Sequence, residues 1–129
     1  MSGFHHVKLP VADLGRSRDW YTAVLGLRVE IEFVEDGELH GLALADASGR
    51  LRLALRLDPV RAAALAGLDP VAIEVPRRED VDAWRGRLDD LGQPHGGIVT
   101  GHQGGLRPGR AARPGRHRDP ALRRMAPKD

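Results

Sequence analysis

The chain contains no cysteine, which excludes a disulfide framework, a thiolate nucleophile and any Cys-ligated zinc or iron–sulfur site, so a metal would need His, Asp or Glu. Aromatic side chains are scarce, 4% of 129 residues. Trp20 and Trp84 fall at or beside apolar helix stripes, which predicts packing against a sheet rather than ligand stacking. No long apolar run and no charged-then-apolar leader occur, so the expectation is a cytoplasmic protein that neither is secreted nor spans a membrane. A Ser nucleophile elbow is missing. The glycines from Gly96-Gly97 to Gly104-Gly105 lack a G-K-[ST] ending and a G-x-G-x-x-G after a strand, and predict a flexible connection rather than a phosphate loop.

The pI of 9.6 suggests nucleic acid until the charge is located. Residues 105–129 hold Arg107, Arg110, Arg113, Arg116, Arg118, Arg123, Arg124 and Lys128 against Asp119 and Asp129, a net of +6, and with a whole-chain charge of +2 residues 1–104 carry −4. The part of the chain with a folding pattern is mildly acidic.

That pattern begins at His6–Val11, where Val7, Leu9 and Val11 alternate with His6, Lys8 and Pro10 as in a half-buried strand. A helix follows, with Asp13 as N-cap, Leu14, Ser17, Tyr21, Val24 and Leu25 on one face, and Gly26 as its left-handed stop. Three strand-like runs come next, Leu27–Val34, Leu39–Ala45 and Arg50–Leu57, with Asp36-Gly37 and Ser48-Gly49 as turns. In the last run Leu51, Leu53, Leu55 and Leu57 alternate with Arg50, Arg52, Ala54 and Arg56, so one face is buried and the other meets water or a ligand. Asp58–Leu68 is an Ala-rich connector with a short helix expected from Pro59. The opening pattern then returns: Val71, Ile73 and Val75 form a strand face, and Val81, Trp84, Leu88 and Leu91 a helix stripe closed by Gly92. Pro70–Gly92 thus echoes His6–Gly26 as a βα repeat. Of the strands that should follow, only Gln93–Val99 has the pattern. From Gly105 onward Val, Ile, Phe, Tyr and Trp are absent, and such a segment by itself is expected to be disordered.

The run H-V-K-L-P-V-A-D-L-G-R-S-R-D-W-Y-T-A-V-L-G-L, from His6 to Leu27, resembles the signature of the vicinal-oxygen-chelate superfamily, which includes glyoxalases, bleomycin-resistance proteins and extradiol dioxygenases. The resemblance covers about residues 4–103 and implies an α+β fold in which paired βαβββ modules form a curved, barrel-like mixed sheet around a cup. The expected organisation is a first module at 4–57, a connector at 58–68, a second and incomplete module at 69–104, and an irregular basic tail at 105–129. Read one base later with permitted codons, Gly105–Asp129 accommodates A-S-V-P-V-G-L-R-D-P-D-G-I-E-I-R-L-Y-A-E-W, which supplies the strand, D-P-D-G turn and final strand of the family. The tail therefore resembles a frameshifted family ending. The other reading is a genuine basic tail for nucleic acid or an acidic partner.

In the family a His on each module's first strand and a Glu on each last strand hold a divalent metal, whose open positions take vicinal substrate oxygens or dioxygen. Here His6 matches the first ligand. The first module's carboxylate position falls at Ala54, the second module's His position at Pro70 with Asp69 beside it, and even the restored frame places Arg at the last position. His40, His95 and His102 are read as surface or hydrogen-bonded imidazoles rather than ligands, and of His5 and His6 one is expected at the strand entrance and only the other facing the cup. The acidic run Glu30, Glu32, Glu35, Asp36 and Glu38 reads most simply as a solvated edge. The cup is expected to present His6, Lys8, Arg52 and Arg56, with Glu74 nearby, a set suited to a small polar or anionic molecule.

The resemblance thus implies a cytoplasmic homodimer that binds a small molecule in its cup without metal or other cofactor, as the bleomycin-resistance branch does. The alternatives are a lyase, isomerase or dioxygenase using a divalent metal at His6, and an inactive remnant of a frame-altered gene. A nucleic-acid partner is expected only if the basic tail is genuine.

Overall fold

The computed structural model describes residues 1–68, 70–99, 105–106 and 127–128. The chain divides into two units, Met1–Leu68 and Asp69–Asp129.

In the first unit, β1 (Val7–Val11) leads through Asp13 into α1 (Leu14–Leu25). The Asp13 carboxylate accepts the Arg16 N–H at 2.9 Å, capping an otherwise orphaned donor. At the other end Gly26 adopts φ 69°, and its N–H and that of Leu27 return to the carbonyls of Thr22 and Tyr21. This is the left-handed stop that glycine makes without a Cβ clash. The chain then runs through β2 (Arg28–Glu35), β3 (Glu38–Ala45) and β4 (Arg52–Leu57) into the short helix α2 (Pro59–Ala64). Asp58 caps α2 by accepting from Arg61 N, and Pro59 takes the first turn, where a missing N–H costs nothing.

The four strands form one mixed sheet in the order β1-β4-β3-β2, with β1 and β4 parallel and the other neighbours antiparallel. One face carries Leu9, Val11, Leu42, Leu44, Leu53 and Leu55, all buried together with Leu14, Ser17, Tyr21 and Val24 of α1. Each large apolar side chain so buried stabilises by about 1.5–3 kcal/mol relative to exposure, so this face is the core of the unit. Leu51 and Leu57, at the ends of the leucine alternation, are only half-buried. The pairing of β2 with β3 slips twice, leaving Glu30 extra on β2 and His40 extra on β3. Bulges of this kind bend a strand and strengthen its twist, and they curve the sheet, which remains open.

The second unit repeats the topology. It contains β5 (Ile73–Glu74), α3 (Arg78–Asp90), β6 (Ile98–Val99), β7 (Gly105–Leu106) and β8 (Pro127–Lys128). Its order β5-β8-β7-β6, with β5 and β8 parallel, matches that of the first sheet position by position. The strands are shorter than expected: Val71–Val75 contracts to Ile73–Glu74, and Gln93–Val99 to Ile98–Val99. The tail, expected to be irregular, contributes β7 and β8. Backbone pairing requires only N–H and C=O groups, so it does not depend on the β-branched and aromatic side chains that the tail lacks. The proposed frame alteration and the basic tail otherwise fall on residues outside those described. Val75 and Val81 are buried, with Trp84, Leu88 and Ile98 packed against them. Leu91, the last position of the expected stripe, is 42% exposed, because the helix ends there and Gly92 turns the chain away at φ 64°.

Candidate functional site

The second face of the first sheet is a cup. Strand register lays out its rows. Lys8, Ala54, Ala43 and Ile31 lie across one row, and Pro10, Arg56, Gly41 and Phe33 across the next. The middle strands therefore offer Gly41, Ala43 and Ala54 as a floor, while the outer strands and the strand ends carry the long side chains. Small residues at the centre and large ones at the rim make a concavity, and here it has a volume of about 560 Å³. Its lining includes His5, His6, Lys8, Arg52 and Arg56, and on the β2 side Glu30, Ile31, Phe33 and Glu35.

The side chains around it differ in their engagement. Arg56 is forked onto Glu35, with Nη1 donating to Oε1 at 2.8 Å and Nη2 to Oε2 at 3.2 Å. This hydrogen bonding holds the Glu35 carboxyl below its ordinary range and raises the Arg56 guanidinium above its own. Among the described residues Lys8 and Arg52 make no such ion pair, and they are the cations the cup has to offer. His5 and His6 meet through their Nδ1 atoms at 2.9 Å, ring edge to face, so one imidazole donates to the other.

Arg52 is delivered by a turn. The Asp46 carboxylate accepts from Ser48 Oγ at 2.6 Å and from the Leu51 N–H at 3.0 Å, while the Asp46 N–H returns to the Leu51 carbonyl. Gly49 adopts φ 70°, and a side chain there would come within 3.7 Å of the Arg52 guanidinium. The turn thus fixes the start of β4.

Of the residues expected at the site, His6, Lys8, Arg52 and Arg56 surround this one concavity. Glu74 lies on β5 of the second unit and is exposed. The acidic run, read as a solvated edge, is exposed but also supplies Glu30 and Glu35 to the cup. The reason is the bulge at Glu30, which interrupts the two-residue alternation and brings Glu30 and Ile31 both to the rim. Ile31, Phe33, Gly41 and Ala43 also line the cup. The alternation of Ile31, Phe33 and Glu35 was their signal, but periodicity separates two faces without saying which one is the cup.

The described donors of the first unit do not make up the family's divalent-metal set. Ala54 at the carboxylate position has no donor atom, and the carboxylate nearest in role, Glu35, is occupied by Arg56. Among the described residues no group of three or more His, Asp or Glu side chains converges. His40 pairs loosely with Glu38 at 4.0 Å. His95 is tied to Asp89 at 2.6 Å and accepts the Gly97 N–H, which makes it a clasp on the end of α3. His102 and Asp69 lie outside the described residues. Trp84 packs on the second unit's core with Arg87 over its ring, and Trp20 is half-buried, edge-on to Tyr21.

Several solved structures share the fold. An antibiotic binding protein, TnmS3 from Streptomyces sp. CB03234, superposes with a TM-score of 0.69 at 18% identity, covering 99% of this chain and 95% of its own. A glyoxylase/bleomycin resistance protein/dioxygenase domain from Frankia sp. EAN1pec gives 0.71 at 22% identity, covering 99% and 91%. Lactoylglutathione lyase from Agrobacterium tumefaciens gives 0.67 at 17%, covering 99% and 93%. No curated protein matches the sequence significantly. The sequence profile of the Glyoxalase/Bleomycin resistance protein/Dioxygenase superfamily matches residues 3–108, most of the chain, including β1 through β7. The chain therefore belongs to the glyoxalase/bleomycin resistance protein/dioxygenase superfamily.

Proposed function

We propose that the protein binds a small molecule carrying an anionic group in the cup of its first unit and sequesters it without metal chemistry, in the cytoplasm. The observation that carries this reading is the placing of two cations that make no ion pair among the described residues, Lys8 and Arg52, beside a small-residue floor and an apolar wall of Ile31 and Phe33. A guanidinium and an ammonium with no ion pair among the described residues can fork onto or attract a carboxylate or phosphate. The floor and wall remove the apolar body of the ligand from water. TnmS3, an antibiotic binding protein of the same fold, supports this reading.

The test is calorimetric titration with benzoate and with neutral benzamide as probes. Benzoate is expected to bind more tightly, and Arg52→Gln to weaken it by about tenfold, the equivalent of about 1.4 kcal/mol, while benzamide binding changes little. Equal binding of acid and amide, with no effect of Arg52→Gln, would overturn the reading. The rival is a metal-dependent lyase, isomerase or dioxygenase. It draws on His6, which stands at the family's ligand position and lines the cup, and would gain from stoichiometric metal in protein purified without added metal.

A further inference from the structure

The three long cations of the cup are not equivalent. Arg56 reaches Glu35 across an intervening strand, the two residues being 21 apart in sequence. The residue in register between Arg56 and Phe33 is Gly41, where an added Cβ would stand 2.9 Å from the Leu55 carbonyl oxygen and 3.5 Å from the Phe33 ring. The side chains of Arg56 and Glu35 are 41% and 54% exposed, so the pair sits at the mouth where an incoming ligand would meet it.

We propose that Glu35 is a specificity-determining residue of the cup: as an internal carboxylate it fills the Arg56 fork, so a ligand's anion goes to Lys8 and Arg52 and a second anion is disfavoured. The inference rests on the reading that the cup binds an anionic ligand, and deepens it by fixing how many anionic groups the ligand carries. A planar guanidinium offers one bidentate face to one carboxylate, and here that face is taken. A second anion must either displace Glu35 or settle beside the pair. Displacement leaves Glu35 uncompensated on a strand that also carries Glu30 and Glu32. Settling beside the pair brings two like charges together at the Arg56 end. Glu35 remains ionised in this role because the Arg56 hydrogen bonds favour its charged form.

The experiment compares benzoate with terephthalate, a rigid dicarboxylate, by calorimetric titration of the full chain, with Glu35→Gln beside the wild type. Glu32→Gln, which removes the same formal charge from the same strand without touching Arg56, controls for the general field. In the wild type benzoate is expected to be preferred. In Glu35→Gln the ratio of terephthalate to benzoate affinity is expected to rise by about tenfold, the size of one added charge-assisted fork, and in Glu32→Gln by less than about twofold. Unaltered melting temperatures confirm that each variant is folded, and Glu35→Ala repeats the measurement if the amide of Gln still engages Arg56. Benzoate binding with an unchanged ratio in both Glu35 variants overturns the specificity role and leaves the anion-binding reading standing. An equal rise in Glu32→Gln also overturns it, since the effect is then long-range charge. Failure of the wild type to bind benzoate overturns the anion-binding reading, and the inference with it.

Discussion

The carboxylate of Asp46 organises the turn that delivers Arg52 to the cup, and its acidity reflects that work. Partial burial pushes its pKa up, but the Ser48 hydroxyl and the N–H groups of Leu51, Ser48 and Gly49 together outweigh burial and leave it lowered. A carboxylate with a folded pKa below its unfolded value of about 3.9 contributes stability that is present above that value. The contribution is lost as pH falls through the folded pKa. Asp46→Asn keeps the shape and removes the charge, so it should be less stable than the wild type by about 1–2 kcal/mol at neutral pH. The gap should narrow as pH falls below the unfolded value and through the lowered folded pKa, where the wild-type carboxyl takes up its proton. Urea denaturation at pH 7 and at a series of acid pH values reads the difference directly. A gap that persists unchanged in acid would mean that the charge on Asp46 does not hold the turn.

Among the elements, α1 was legible from its own residues: Asp13 caps it, Gly26 stops it, and Leu14, Ser17, Tyr21 and Val24 are buried. Helix caps and stripes are local, set within one or two turns, so sequence carries them. The β2–β3 ribbon was legible as strands and turn but not as a wall of the cup. Its two bulges, at Glu30 and His40, arise from pairing between strands, and one extra residue sends every later side chain to the opposite face. Gly41 is the most constrained position of this ribbon. Gly41→Ala would drive a Cβ against the Leu55 carbonyl, a backbone atom that cannot rotate away. A loss of about 1–3 kcal/mol is expected, as for overpacking elsewhere, with a weakened Arg56–Glu35 pair above it. Thermal unfolding measures the first, and side-chain NMR shifts of Arg56 the second; a variant as stable as the wild type would show that β3 and β4 can part here without cost.

At the scale of the whole molecule, two units share one topology and differ in how well they are furnished. The first has a layer of leucines and valines between sheet and helix, while the described core of the second is Val75 and Val81 with Trp84, Leu88 and Ile98 around them. The first sheet ends on β2 with Ile31 51% and Val34 57% exposed. Exposed apolar side chains on an end strand favour association, and we propose a homodimer, as the family resemblance implied. Light scattering coupled to gel filtration should give twice the chain mass, and a monomer at tens of micromolar would overturn it. Among the described residues no helix is long and apolar enough to cross a membrane.

By itself the sequence determined the elements from β1 to β6, the βα repeat and the family, because strand alternation, helix caps and the His6–Leu27 run are short-range patterns. It also placed His6, Lys8, Arg52 and Arg56 on one side of their strands, since a period of two is enough for that. Which of those charges are available was decided only by the tertiary structure. Arg56 meets Glu35 and Lys8 does not, because strand order, two bulges and one glycine set the distances across the sheet, and these are properties of chain segments brought together from far apart in sequence.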